Sequence, residues 1–396
     1  MNNEEYVHVD CYFKSLNKAD EELCGDKVEV RRNDDSCIMV LADGLGSGVK
    51  ANILSTLTST IISEMIKEGA TIDEVVETIT ATLPECKERH VAYSTFTLVQ
   101  MFYNGDVKIV EFDNPETIIF RDKQILKLDR VVSQIGNRKI KFTEFKAQAN
   151  DFILFFSDGI INASAGEVLD LDWDIESVAK HMVSYYRPSD KAKEVVRILL
   201  AVTNDLYEGH CGDDCTVACA KIIEAKESCV LVGPPVLKSN DELVVRELIS
   251  ANGKKICCGG TTSQIVARVL EREIIMGDVF NANHEVPPLA YISGIDLVTE
   301  GVITLQKVNR TLSDCRQNPD LLDEVLSEKD GDAASLMVHM LMEDCTRVRF
   351  IVGCSENAAN ASIAYLTMSL NAKKRLIQKI AANLEYFGKI VSIEYY

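Results

Sequence analysis

Two apolar runs in this chain end on the same pair of residues. "CIMVLADG" delivers Asp43-Gly44 and "DFILFFSDG" delivers Asp158-Gly159. A carboxylate at the end of a buried strand is rigidly held, and the glycine after it keeps one side open to a ligand. An ordinary Asp-Gly turn explains one such end, because that dipeptide is common in turns. A repeat asks for more. Asp213-Asp214 precedes "CTVACAKI", placing carboxylates at the start of another strand, and Asp26 in "CGDKVEV" stands at the edge of a fourth. Brought together without lysine or arginine, these aspartates repel one another. Hard divalent cations, held by oxygen ligands, relieve that repulsion.

The stretch "EGHCGDDCTVACAK", from Glu208 to Lys221, offers a competing chemistry through His210, Cys211, Cys215 and Cys219. If Cys215 to Lys221 is a strand, Cys215, Val217 and Cys219 share one face, as a buried strand requires. Tight tetrahedral ligation by those sulfurs needs the chain to fold back on itself. The stretch is therefore expected to bind metal through its carboxylates, Asp213-Asp214, with its sulfurs in the core and His210 unassigned. A cysteine-ligated zinc or iron–sulfur centre ranks last. "GLGSG" (Gly44 to Gly48) lacks the Gly-Lys-Ser/Thr ending of a phosphate loop. Asp170, Asp172 and Asp174 alternate as in a calcium loop but lack its glycine and distal glutamate, so a solvated loop is expected. Ser47, Ser157 and the six histidines form no triad spacing.

The elements that must hold these residues fall into two groups. The N-terminal part mixes short strands, "CIMVLAD", "YSTFTLVQMFY", "DVKIVEFD" and "DFILFFSD", with two strong helices. In "VKANILSTLTSTIISEMIKEG" the apolar residues Ile53, Leu57, Ile61 and Met65, flanked by Leu54, Ile62 and Ile66, keep helical spacing until Gly69. "SDKAKEVVRILLAVTNDLYEG" is the second, with Ser189 or Asp190 expected as cap. "YNGD" (Tyr103 to Asp106) reads as a hairpin turn. Beyond the Gly233-Pro234-Pro235 breaker, strand and helix alternate, which suggests a mainly parallel sheet. The boundary is expected near 226–229, giving domains 1–226 and 229–396. In the second, "KKICCGGTTSQIVARVLER" places Gly259-Gly260-Thr261-Thr262 between a strand and a helix, where an anion could bind. A tight connection capped by threonine is the plainer expectation.

Bulk properties limit the alternatives. At 396 residues with 46% hydrophobic content the chain suits about two packed domains. A formal charge of −19 argues against nucleic acid or an anionic membrane as the main partner. No run approaches the ~20 apolar residues of a membrane span. With no secretory signal, the 13 scattered cysteines read as reduced cytoplasmic thiols. Oligomeric state is not legible.

In order, "CGD", "LADGLGSGVKAN", "YSTFTLV", "FFSDGI" and "GDDCTVACAKI" resemble the metal-dependent serine/threonine phosphatases of the PPM superfamily, in the branch of sporulation stage II protein E (SpoIIE). The resemblance covers roughly residues 6–223. It implies an α+β fold, an α-β-β-α sandwich, followed here by a smaller α/β domain. It implies two Mn²⁺ or Mg²⁺ ions, with Asp43 bridging them, the Gly44 carbonyl and Asp26 on one, and Asp158 and Asp213 on the other. Asp43, Asp158 and Asp213 are then the catalytic set, Asp214 a supporting residue, and a metal-bridging hydroxide the attacking group. The implied substrate is phosphoserine or phosphothreonine on a bacterial regulatory protein, often of the anti-anti-sigma type. After "DVKIVEFD" this chain has "DNPETIIF" where relatives show a small Ala-Gly or Gly-Ser turn. No sensor or membrane segment precedes the phosphatase-like region, so septum anchoring is not expected. The competing function is a regulatory scaffold whose C-terminal domain binds a small ligand or a partner.

Overall fold

The computed structural model describes residues 7–82, 94–135, 138–164, 173–276, 289–318, 320–327, 332–355 and 369–396. The chain forms two compact units, Met1–Glu224 and Ala225–Tyr396.

The N-terminal unit contains, in order, β1 (Val7–Leu16), β2 (Asp26–Arg32), β3 (Ser36–Gly44), α1 (Gly48–Lys67), α2 (Ile72–Thr82), β4 (Ser94–Phe102) and β5 (Asp106–Phe112). There follow β6 (Ile118–Arg121), β7 (Gln124–Ile125), β8 (Val131–Ile135), β9 (Arg138–Lys146), β10 (Phe152–Phe156), a 3₁₀ turn (Asp158–Ser164), α3 (Ile175–Tyr185), α4 (Ala192–Leu206) and β11 (Cys215–Glu224). One sheet runs β1-β11-β10-β6-β7 and the other β2-β3-β4-β5-β9-β8. Every pairing in both sheets is antiparallel, and the Asn104-Gly105 turn joins β4 to β5 with Gly105 at φ +98°.

Period-two alternation explains the layers. Phe152, Leu154 and Phe156 of β10 join Cys215, Val217 and Cys219 of β11 in a core under α3 and α4. Ile38, Val40 and Ala42 of β3 pack instead under α1 and α2. The opposite faces of the strands meet between the sheets, where the Cys11 and Cys37 sulfurs lie 3.5 Å apart. Each of the large apolar side chains so buried contributes about 1.5–3 kcal/mol. The unit is an α-β-β-α sandwich of α+β class.

Two helices depart from the expectations in detail. α1 forms over the expected residues, but Ile53 and Leu57 are exposed while Ala51, Ser55, Thr58, Ser59, Ile62, Ser63 and Ile66 are buried. Small residues win that face because the helix runs very close to β3: a Cβ on Gly44 would lie 2.1 Å from the Ala51 carbonyl oxygen. α4 is capped at Lys191, not Ser189 or Asp190. Asp190 instead accepts from the Arg187 N–H, and the Asp10 carboxylate of β1 receives the Ala192 N–H at 2.9 Å.

The C-terminal unit comprises β12 (Glu227–Val232), α5 (Asp241–Ser250), β13 (Lys255–Cys258), α6 (Gly260–Leu270), β14 (Ile275–Met276), β15 (Ala290–Tyr291) and β16 (Leu297–Thr299). It continues with α7 (Val302–Gln317), α8 (Asp320–Ser327), α9 (Ala333–Glu343), β17 (Arg347–Val352), α10 (Leu370–Tyr386) and β18 (Ile390–Tyr395). The sheet order is β14-β15-β16-β13-β12-β17-β18, parallel from β16 to β18. α5 and α6 pack on one face and α7, α9 and α10 on the other, so the sheet is doubly wound. α10 begins at Leu370, and residues 356–368 before it lie outside the described residues.

Candidate metal centre

Asp26, Asp43, Asp158, Asp213 and Asp214 gather at one end of the sandwich. Asp26, first residue of β2, is the register partner of Asp43 near the end of β3. Asp158 opens the 3₁₀ turn two residues past β10, and Asp213-Asp214 lead into β11. The sheets are joined here by Ser157. Its buried hydroxyl donates to Asp26 Oδ2 at 2.7 Å and accepts the Thr216 N–H at 2.9 Å.

Asp214 has a different task from its neighbour. It is 4% exposed, and its two oxygens accept the backbone N–H groups of Lys18 (3.0 Å) and Gly25 (2.9 Å). These charge-assisted bonds hold the segment that delivers Asp26. Asp213, half-buried, accepts the Asp214 N–H at 3.0 Å. Backbone proximity explains the glycines: a Cβ on Gly159 would lie 2.1 Å from the Asp214 carbonyl oxygen, and one on Gly25 2.9 Å from Asp214 Oδ2. Tyr207 donates its hydroxyl to the Gly159 carbonyl at 2.9 Å.

The electrostatics are those of crowded acids. Burial, then the charges of Asp26, Asp158, Asp213 and Asp214, push the Asp43 carboxyl up to about 9. Burial raises Asp26 to about 7 against hydrogen bonds from Ser157 and Thr216, with Asp214 and Asp158 adding to the rise. Asp158 stands at the open side and is raised by desolvation and then by Asp213, while a hydrogen bond with Asp43 opposes the shift. Asp26 Oδ1 is buried and has no hydrogen-bond partner. Among the described residues, no three His, Cys, Asp or Glu side chains already stand together in a ligating arrangement.

The competing groups sit elsewhere. Cys211, Cys215 and Cys219 are buried in the core under α3 and α4. His210 is exposed, its ring Nδ1 3.2 Å from the Glu208 carbonyl. Asp174 caps α3 by accepting the Ser177 N–H, whereas Asp170 and Asp172 lie outside the described residues.

Sequence reasoning passed over three supports. Ser157 and Thr216 are the polar residues inside apolar strand runs, which was their only signal. Asn114, in the unusual "DNPE" segment, is 8% exposed and bonds Thr95 and Thr97 of β4. Beside them the Ser94 hydroxyl donates to the Asp43 carbonyl at 2.9 Å.

Residues 33–223 match the family model of stage II sporulation protein E (SpoIIE). No curated protein matches the chain. Among solved structures, it is similar to the PP2C phosphatase domain and regulatory-domain fragment of SpoIIE from Bacillus subtilis, at 18% identity and a TM-score of 0.48, covering 55% of this chain. The chain thus spans 64% of that relative's length. The RsbU and RsbW domains of a Mycobacterium tuberculosis protein align at 18% identity and 0.46, covering 61% of this chain and 69% of theirs. The catalytic domain of the phosphatase PstP, solved with two manganese ions, aligns at 15% and 0.39, covering 55% and 100%. At such scores these likenesses carry no weight of their own, and the assignment rests on the family match. The matched residues lie within the N-terminal unit, which is thus similar to the SpoIIE family over most of its length.

Proposed function

We propose that the N-terminal unit is a metal-dependent phosphatase acting on phosphoserine or phosphothreonine of a regulatory protein. One observation carries the reading: the charges acting on half-buried Asp43 are four other aspartates, and beside it Asp26 keeps a buried oxygen without a partner. An all-oxygen donor set with surplus negative charge suits Mn²⁺ or Mg²⁺. Asp26, Asp43 and the Gly44 carbonyl would hold one ion; Asp43, Asp158 and Asp213 would hold the other. Bound, the two ions would supply a water of lowered pKa and neutralise charge on the phosphoryl oxygens. The chain's own part is positioning. Ser157 sets the Asp26 carboxylate, Asp214 anchors the segment before it, and the Gly159 turn keeps Asp158 at the open side. We assign anti-anti-sigma-type proteins as the substrate class by resemblance to the branch, and the cytoplasm as the site of action.

The test is hydrolysis of a phosphoserine protein or an aryl phosphate with and without Mn²⁺. Activity is expected to need the metal, and Asp43→Ala and Asp158→Ala are each expected to lower kcat at least roughly a hundredfold. Activity that survives both substitutions, or persists in EDTA, refutes the assignment. A scaffold would show neither turnover nor metal dependence.

A further inference from the structure

In the C-terminal unit the four central parallel strands all run out at glycine. β12 ends before Gly233, β13 before Gly259, β17 before Gly353, and β16 is followed by Glu300-Gly301. Gly233, Gly259 and Gly301 have φ of +79°, +119° and +127°. The turns touch backbone to backbone, since a Cβ on Gly301 would lie 3.2 Å from the Gly259 Cα and one on Gly353 2.1 Å from the Pro234 carbonyl oxygen. Open parallel sheets take their ligands at this carboxyl edge.

α6 starts there with no side-chain cap. The N–H groups of Gly260, Thr261 and Thr262 form its first turn, where an α-helix leaves its donors unsatisfied. Gly260 and Thr261 are exposed, and among the described residues nothing lies within 4 Å of a Cβ placed on Gly260. Thr262 is 1% exposed, and its Oγ1 has no hydrogen-bond partner. That oxygen is aimed at the helix start, 2.9 Å from where a Cβ on Gly259 would be. Thr304, in the first turn of neighbouring α7, is likewise fully buried with an unpartnered hydroxyl. The two helix starts differ in one respect: Glu300 offers its own carboxylate to the Ile303 N–H of α7 at 3.3 Å. Across the sheet edge the Lys373 amino group donates to the Gly353 carbonyl and lies 2.8 Å from a Cβ position on Gly233. Gly233 in turn donates its N–H to Cys258 at 3.3 Å, so this cation stands one strand away from α6.

We propose that the start of α6, Gly259 to Thr262, binds the phosphate group of a small phosphorylated metabolite. Three amide N–H groups at a helix N-terminus, with one hydroxyl beside them, suit a tetrahedral oxyanion with several acceptor oxygens. Among the described residues, no arginine is bonded at that helix start, as a planar carboxylate would want. The site is independent of the phosphatase reading.

The test uses the full chain in EDTA, which removes the cations from the aspartate centre, and in an Asp43→Ala background. Inorganic phosphate and adenosine monophosphate are titrated calorimetrically, one as free phosphate and one as a phosphate ester. Saturable binding of either probe is expected, tighter for the ester if a metabolite is the ligand. Thr262→Val, and separately Gly260→Asp, which sets a carboxylate at the helix start, should each weaken it about tenfold or more. Should Thr262→Val fail to fold, Gly260→Asp is still decisive, because an acidic residue favours a helix N-terminus. No saturable binding at millimolar probe, or binding that Gly260→Asp leaves unchanged, overturns the proposal.

Discussion

Asp43 is unfavourably placed for a protein without cations. Like charges about 4 Å apart near a protein surface repel by about 4 kcal/mol at an effective dielectric of about 20. Burial first, and the neighbouring aspartates after it, push the carboxyls of Asp43, Asp26 and Asp158 upward, the direction that relieves such repulsion. Asp43→Asn should therefore unfold in EDTA at or above the wild-type Tm. Mn²⁺ should raise the wild-type Tm, equivalent to about 2.7 kcal/mol at a hundred times its Kd, and leave the variant unmoved. An equal shift in both proteins in a thermal melt would contradict the assignment of Asp43. Asp214 tests the opposite kind of carboxylate, one that is paid for by backbone donors. Asp214→Ala strands the Lys18 and Gly25 N–H groups and should cost about 2–4 kcal/mol in urea unfolding. Asp214→Asn, keeping one acceptor, should recover part of it. The resemblance already set Asp213 as the ligand and Asp214 as a supporting residue; the hydrogen bonds add which backbone groups Asp214 holds.

Among the elements, β3 and β10 were readable because a buried strand leaves a continuous apolar run that few other structures produce. α1 was readable as a helix and misleading as to its face. Its apolar stripe points partly outward, with Ile53 at 52% and Leu57 at 49% exposed, because close approach to the sheet selects small residues. Ile53→Ser and Leu57→Ser should each change stability by no more than about 0.5 kcal/mol. Ile62→Ala, on the buried face, should cost about 2–5 kcal/mol. Denaturant midpoints of the three variants check the order, and a large loss at Ile53 would place the packed face where the apolar spacing suggested. Helical period alone cannot choose between two faces when one is apolar and the other is small. The neighbouring backbone decides.

The two units each have their own cores, and every aspartate of the metal centre lies before Glu224. A fragment of residues 1–224 is accordingly expected to fold, to show the Mn²⁺-dependent thermal shift, and to hydrolyse an aryl phosphate with kcat within a few-fold of the full chain. Loss of the thermal shift in a folded fragment would mean that the centre needs residues beyond Glu224. The aspartates, their strand-edge positions and the order of the motifs were all present in the one-dimensional pattern. They are local consequences of residue type: a buried strand must be apolar, and its carboxylates can only stand at the ends. Which carboxylates meet, which one keeps an unpartnered oxygen, and why Ser157, Thr216 and Asn114 belong with them could not be read that way. Those facts depend on contacts between residues distant in the chain, such as Ser157 with Asp26, 131 positions apart, and Ser157 with Thr216, 59 apart. Such contacts exist only once two sheets have closed on each other.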